Sequence, residues 1–262
     1  MSSNVSEQSF YDELTEDYDE MTSYSTRWKS VTGFVEKILE HYKLNKSVDI
    51  ACGTGIYSIA LAQAGVKMCG IDISPSMIRA AEKNADKSGV SELTYWKVGA
   101  MQNNLNWLPT DHDACLCMAN SLPHVLTEKD LKATLNNFYD IVKPGGTLIV
   151  QLLNYFKIMQ RQERIVSVDK GDDKEFVRFY DFLDKDYLRF NVLRINWNET
   201  RSADYDLQSI CLKPYTYKYL DSVLAKHGFT DLQFFGSPAF DEFNPDESDT
   251  LCIIARKLQE TG

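Results

Sequence analysis

Short apolar runs with strand character alternate along this chain with longer stretches in which apolar residues recur every three or four positions. "SVDIAC", "VKMCGIDIS", "LTYWKVG", "HDACLCMAN" and "TLIVQLLN" predict strands. "FVEKILEHY", "GIYSIALAQAG", "SPSMIRAAEKNADKSG" and "EKDLKATLNNFYDIVKPGG" predict the intervening helices. Ser74 before Pro75 is an N-cap with proline at the first helical position, and Thr127 through Asp130 reads as a capping box. Gly65 ends one helix, and Pro144 with Gly145 is expected to stop another. Strict alternation with buried strands implies a parallel sheet covered on both faces and right-handed crossovers.

The alternation breaks after Asn154. "EFVRFYDFLDKDYLRFNVLRINW" holds two runs of period two around "LDKDY", the mark of antiparallel strands with one wet face. This predicts an inserted hairpin or small sheet. The chain then returns to a helix, "YTYKYLDSVLAKHGF", and two strands, "TDLQFFGS" and "TLCIIARKL".

Composition narrows what such a fold would handle. With 44% hydrophobic and 12% aromatic residues among 262, the chain can build a substantial core. The net charge of -10 argues against a nucleic-acid substrate, since phosphate backbones are held by Lys and Arg. No apolar run approaches the roughly 20 residues needed to span a bilayer, and no leader-like start is visible, so a cytoplasmic protein without a membrane partner is expected. Cys115 and Cys117 lie in an apolar run and read as buried strand thiols. Without clustered Cys and His, no metal is expected.

The chemistry concentrates at Gly53-Thr54-Gly55, between a strand and a helix. Glycine lets a ligand approach the main chain, and the helix behind it presents free N–H groups. Both dinucleotides and S-adenosylmethionine use such turns. Ser58 stands where a dinucleotide fingerprint has its third glycine. Asp72, closing the next strand, can accept both hydroxyls of a ribose and suits either cofactor. Asp49 tips the balance, because a cofactor with an ammonium group has use for an acid there.

"VDIACGTG", "GIDIS", "ANSLPH" and "VKPGGTLIV" resemble, in order, the motifs of class I S-adenosylmethionine-dependent methyltransferases. Within them the chain is similar to glycine N-methyltransferase and its small-molecule relatives. The resemblance implies a Rossmann-like, doubly wound α/β sheet of seven strands, mostly parallel with the last antiparallel, and an inserted antiparallel lid. It divides the chain into an N-terminal helical segment over the cofactor (1–45), the cofactor-binding core (46–154), the substrate lid (155–213) and a C-terminal completion of the sheet (214–262).

By the same resemblance, Gly53 and Gly55 meet the cofactor, with Asp49 behind them and Cys52 a small residue in the turn. Asp72 holds the ribose, beside Ile73 and Met77. Met101 packs on adenine next to Ala100, Met118 lines the methionine end, and Tyr18 and Trp28 fold over from the N-terminus. Two departures stand out. Ala100 replaces an Asp or Asn that accepts from the adenine amino group. Leu153 replaces an Arg that grips the carboxylate of glycine, a grip leucine cannot supply.

The acceptor is expected to be a small molecule, an amine or amino acid first. O-methylation, a nicotinamide oxidoreductase and a non-catalytic adenosine-binding module are the alternatives. "NSLP" lacks the aromatic that stacks on a flipped base, which again argues against nucleic acid. Asn120 and His124 are the candidate catalytic residues. Tyr11, Asn154, Tyr155, Arg178, Arg194 and Tyr215 are the candidates for holding the acceptor, one of the two arginines replacing the charge lost at Leu153. An aromatic lid containing Phe176 and Tyr180 also suits a cationic amine. A monomer and a dimer are both compatible with the sequence.

Overall fold

The structure, a computed structural model, describes residues 6–171, 173–197 and 203–259. The chain opens with helices α1 (Glu7–Met21) and α2 (Tyr24–His41). The core runs β1 (Lys46–Ile50), α3 (Ile56–Gln63), β2 (Lys67–Asp72), α4 (Pro75–Lys87), β3 (Thr94–Val98), β4 (His112–Cys117), α5 (Glu128–Ile141) and β5 (Val142–Leu153). A short helix α6 (Tyr155–Arg161) leads into β6 (Ile165–Lys170), β7 (Lys174–Phe182), β8 (Leu188–Trp197) and β9 (Ala203–Leu212). The chain returns through α7 (Tyr217–Lys226), β10 (Phe229–Phe235) and β11 (Thr250–Lys257).

The first sheet has seven strands in the order β10-β11-β5-β4-β1-β2-β3, and only β11 runs against its neighbours. The period of two along each strand sorts side chains between the faces. Val48, Ile50, Cys115 and Cys117 pack with Leu135, Phe138 and Leu224 on one side. Ala114, Leu116 and Met68 meet Phe34, Ile38 and Ile59 on the other. The two thiols are buried free cysteines, as their apolar run predicts. Both helix starts also hold: Ser74 Oγ accepts from Met77 N at 3.0 Å, and Thr127 Oγ1 from Asp130 N at 3.1 Å.

One helix end differs from expectation. α5 stops at Ile141, and β5 has already begun at Val142, so Pro144 and Gly145 lie inside the strand. Proline excludes the helical region for the residue before it, which moves the last helical residue back ahead of Lys143.

The insert is larger than a hairpin. Four antiparallel strands, β6-β7-β8-β9, form a second sheet. Between the sheets lies α1, whose inward stripe of Phe10, Leu14, Asp17 and Met21 follows helical spacing. Its apolar members pack on Phe176, Val192 and Ile210 of the insert. Asp17 receives Lys174 Nζ at 2.6 Å and Arg194 Nη1 at 2.7 Å, and Glu13 receives Gln208 at 2.7 Å. Toward the core, Asp12 accepts from Ser74 Oγ at 2.5 Å and Asp19 from Thr54 Oγ1 at 2.7 Å.

Burial opposes ionisation of Asp17, yet its hydrogen bonds from Lys174 and Arg194 outweigh this and hold its carboxyl below the usual range. Removing one partner of such a pair strands the others. Asp17→Ala is therefore expected to cost about 1–3 kcal/mol, less than a fully buried pair because both cations keep some solvent. Thermal unfolding checks it, and an unchanged Tm would mean that α1 is not fastened there.

Candidate functional site

Ligands of open α/β sheets bind at the carboxyl ends of the strands, where the strand order reverses. Here that point lies between β1 and β4. A groove of about 440 Å³ beside Trp107 and Lys67 opens at the opposite, N-terminal ends of the strands, away from every motif.

The turn after β1 is built on left-handed backbone. Ala51 has φ 59°, Gly53 φ 55° and Gly55 φ 86°. Gly53 faces Tyr18 of α1, and its N–H donates to Asp72 Oδ2 at 2.8 Å. Gly55 has a different reason to be glycine: a Cβ there would come within 2.6 Å of the Trp96 ring. That ring fills the side-chain space at Gly55, and Gly53 rather than Gly55 lines the cleft above Asp72.

Asp72 is 7% exposed and its other oxygen accepts from Ser74 N at 2.9 Å. Each carboxylate oxygen therefore keeps a lone pair to offer. Burial raises its pKa to about 6 despite those bonds. Asp49 lies beneath the turn; Ser58 Oγ donates to Oδ2 at 2.9 Å, while Oδ1 is buried with no partner among the described residues. Burial lifts its pKa to about 7. Ile73, Met77 and Gly53 line a narrow cleft above Asp72, continuous through Ile73 with a hollow at Ala100, Met101 and Gln102. Glu7, which the sequence reading missed, lines both. Burial, then the Asp72 charge, raises its pKa to about 7.

The turn after β4 is also strained. Ala119 and Asn120 are consecutive non-glycine residues with φ 54° and 66°, a conformation that costs on the order of 1 kcal/mol or more each. Gln151 holds both: Ala119 N donates to its side-chain Oε1 at 2.8 Å, and Asn120 N to its carbonyl at 3.0 Å. Asn120 Oδ1 accepts from Leu153 N at 3.0 Å, and Nδ2 donates to Tyr155 Oη at 3.0 Å. Beneath the insert this turn borders a cavity of about 420 Å³. Tyr11, Tyr18, His124, Leu153, Arg178 and Tyr180 face it, as does Arg27.

Several expected residues sit elsewhere. Arg194 is spent on Asp17 and Asp206 and does not line the cavity. Tyr215 is buried, its hydroxyl on Val125 O at 2.6 Å. Asn154 caps α6 and ties Pro245 O and Ser248 O, both at 2.8 Å. Met118 and Cys52 are buried, Trp28 stacks on Tyr24, and Phe176 packs on α1. Their assignments to ligand contact are corrected, because each is consumed by a local partner or the core. His124 is in place, with Nε2 2.8 Å from Tyr11 Oη. Burial depresses its pKa to about 4, so it is neutral at physiological pH and a weak proton acceptor. That corrects its reading as a general base.

Residues 48–146 match the family described as "Methyltransferase domain". The chain is 24% identical over 247 residues to a glycine/sarcosine N-methyltransferase of Parasynechococcus marenigrum (strain WH8102), covering 92% of this chain and 82% of that one. It is 26% identical over 249 residues to the glycine/sarcosine N-methyltransferase of Aphanothece halophytica, with 93% and 88% covered. This chain is a class I S-adenosylmethionine-dependent methyltransferase. Its fold matches that of an S-adenosylmethionine-dependent methyltransferase from Clostridium acetobutylicum ATCC 824 with a TM-score of 0.78, 18% identity, and 95% and 99% of the two chains covered.

The residues present fit the cofactor of this methyltransferase. Asp72 offers two acceptor oxygens, Asp49 carries an orphaned buried oxygen, and the hollow at Ala100 and Met101 combines small and apolar side chains with the polar Glu7 and Gln102. Arg27 is a further candidate for its carboxylate: it lines the cavity beside Tyr18, and its Nη1 donates to Thr22 Oγ1 at 3.0 Å. No motif surrounds it, so pattern alone could not single it out. Among the described residues no helix is long and apolar enough to cross a membrane.

Two tests follow from this geometry. Asp72→Ala should weaken S-adenosylhomocysteine binding at least tenfold by calorimetry with the fold intact, since hydrogen bonds to a charged group contribute about 1.5–3 kcal/mol each. Unchanged affinity would put the ribose elsewhere. The second concerns pH. Glu7, Asp49 and Asp72 have folded pKa values raised to about 7, 7 and 6, so the folded state binds more protons than the unfolded in the window between about 4 and 7. His124, lowered to about 4, and His112, lowered by burial, act in the opposite sense. The three carboxyls outweigh the two histidines, and the ligand-free protein should gain stability from pH 8 to pH 6, with a smaller gain in Glu7→Gln. A Tm that falls over that interval would contradict the raised carboxyl values.

Proposed function

We propose that the acceptor is a small amine carrying a carboxylate, with glycine or sarcosine as the leading members. The observation that carries this reading is Arg178 on the cavity wall, facing the strand end where Leu153 stands. Its Nε donates to Ser167 Oγ at 2.7 Å and its Nη2 to Asp169 at 2.9 Å, which fixes the guanidinium and leaves Nη1 to offer. The names of the two relatives point the same way. A cavity of about 420 Å³ admits small metabolites.

When bound, S-adenosylmethionine supplies a methyl group on a sulfonium, already activated for displacement. The chain's own work is to bind, orient and exclude water. Tyr11, Tyr18 and Tyr180 give the cavity apolar walls. Burial in such a place disfavours an ammonium and favours the neutral amine, whose lone pair is the nucleophile. With His124 neutral and hydrogen-bonded to Tyr11, no charged base is used to reach that form; His124 instead fixes the Tyr11 ring beside the acceptor. Gln151 and Leu153 hold Asn120 so that the β4 turn keeps its place at the cavity mouth.

A screen of amines, amino acids and phenols, read by the S-adenosylhomocysteine released, tests this reading. Turnover with glycine or sarcosine is expected, and turnover confined to phenols would replace it with O-methylation. Arg178→Met should raise KM for the carboxylated acceptor about tenfold or more and leave cofactor affinity unchanged. An unaltered KM would leave a neutral or purely cationic amine as the better assignment.

A further inference from the structure

We infer that Tyr180 orients the acceptor, its hydroxyl donating to a carboxylate oxygen beside Arg178. This rests on the reading of the acceptor as a carboxylated amine. Tyr180 and Arg178 lie two residues apart on β7, so both project from the same face, and both line the cavity. The strand is pinned at this residue: Tyr180 N donates to Arg164 O at 2.7 Å, and Arg164 Nε donates to Tyr180 O at 3.1 Å. The side chain is 2% exposed, and its ring centroid lies 5.7 Å from that of Phe190. A buried hydroxyl on a fixed ring has a fixed place.

The direction of its proton follows from its neighbours. Leu153 N donates to Asn120 Oδ1, and Asn120 Nδ2 donates to Tyr155 Oη, each at 3.0 Å. Tyr155 Oη is thereby the acceptor at the end of that chain. The Tyr180 hydroxyl carries one proton, and among the described residues no protein group within hydrogen-bond distance accepts it. The cavity is the space it faces. Burial keeps Tyr180 protonated, its pKa pushed up to about 12, so the donor is present throughout the physiological range.

This supplies what the strand end lacks. Leu153 has no side-chain donor, and Arg194 is committed to Asp17. Arg178 brings charge, and Tyr180 adds a second, directional contact that selects for an oxygen at one side of the amine.

The test compares the wild type with Tyr180→Phe on paired acceptors, glycine with methylamine and sarcosine with dimethylamine, together with calorimetric titration of S-adenosylhomocysteine. The expected result is a rise of about tenfold in KM for glycine or sarcosine, a smaller change in kcat, no loss of preference-independent turnover with the two simple amines, and unchanged S-adenosylhomocysteine affinity. A merely structural tyrosine would affect both members of each pair equally, and that outcome would overturn the assignment. So would KM values for glycine and sarcosine that stay within twofold while the wild type turns them over. Wild-type turnover of the simple amines alone would overturn the carboxylate contact. Failure of the wild type on all four would overturn the amine reading itself, and this assignment with it.

Discussion

The arrangement of this enzyme depends on one carboxylate placed between two cations. Asp17, in the middle of α1, meets Lys174 and Arg194 from adjacent strands of the inserted sheet. Four residues' worth of acid along the same helix completes the fastening: Asp12 and Asp19 reach the cofactor-binding core, Glu13 and Asp17 the insert. The helix carries seven acids and no base, which is poor electrostatics for an isolated helix, particularly in its last turn. Its stability is tertiary. Because α1 touches both sheets, the cleft above Asp72 and the cavity beneath the insert share the walls formed by Tyr11 and Tyr18. The cleft and the cavity are therefore shaped by the same element.

Within that frame the site stores unfavourable free energy of two kinds. One is conformational: Ala51, Ala119 and Asn120 occupy left-handed backbone without being glycine. The β4 turn persists because Gln151 satisfies two of its N–H groups and Leu153 a third polar atom. The other is electrostatic. Glu7, Asp49 and Asp72 crowd one buried region, and burial raises all three pKa values. A ligand that supplies donors or positive charge relieves that crowding, so the strain favours the bound state over the free one.

Much of the core was legible because its determinants are local. Strand and helix periods, the caps at Ser74 and Thr127, and the buried thiols of β4 all depend on residues within one element and its neighbours. The errors share the opposite origin. Gly55 was read as an opening for a ligand, but Trp96, about 40 residues away in sequence, needs the space. Arg194 offered the same charge as Arg178 and could be separated from it only by the position of Asp17. Tyr215 and Asn154 stood beside the right motifs yet serve loops that pack from far along the chain. The pairing of the α1 acids was not legible either, since each partner lies on another element. Chemistry-bearing residue types were visible; which of them were already occupied was not.

The two departures at the strand ends acquire a common explanation from this geometry. At Ala100 the core presents only a methyl group, and Glu7 of α1 lines the hollow there together with Gln102. At Leu153 the core lacks a cation, and the residues facing that gap are Arg178 and Tyr180 of the insert. In both places a polar side chain absent from the strand end is present on an element docked upon it. This division has a physical consequence. α1 meets the core through side-chain hydrogen bonds to Ser74 and Thr54, whereas the insert shares the main apolar cluster through Tyr180, Leu188 and Leu212. Side chains of α1 can therefore change without repacking the core and buried side chains of the insert cannot, and both elements depend on Asp17 and its companions to keep them in register with the strand ends.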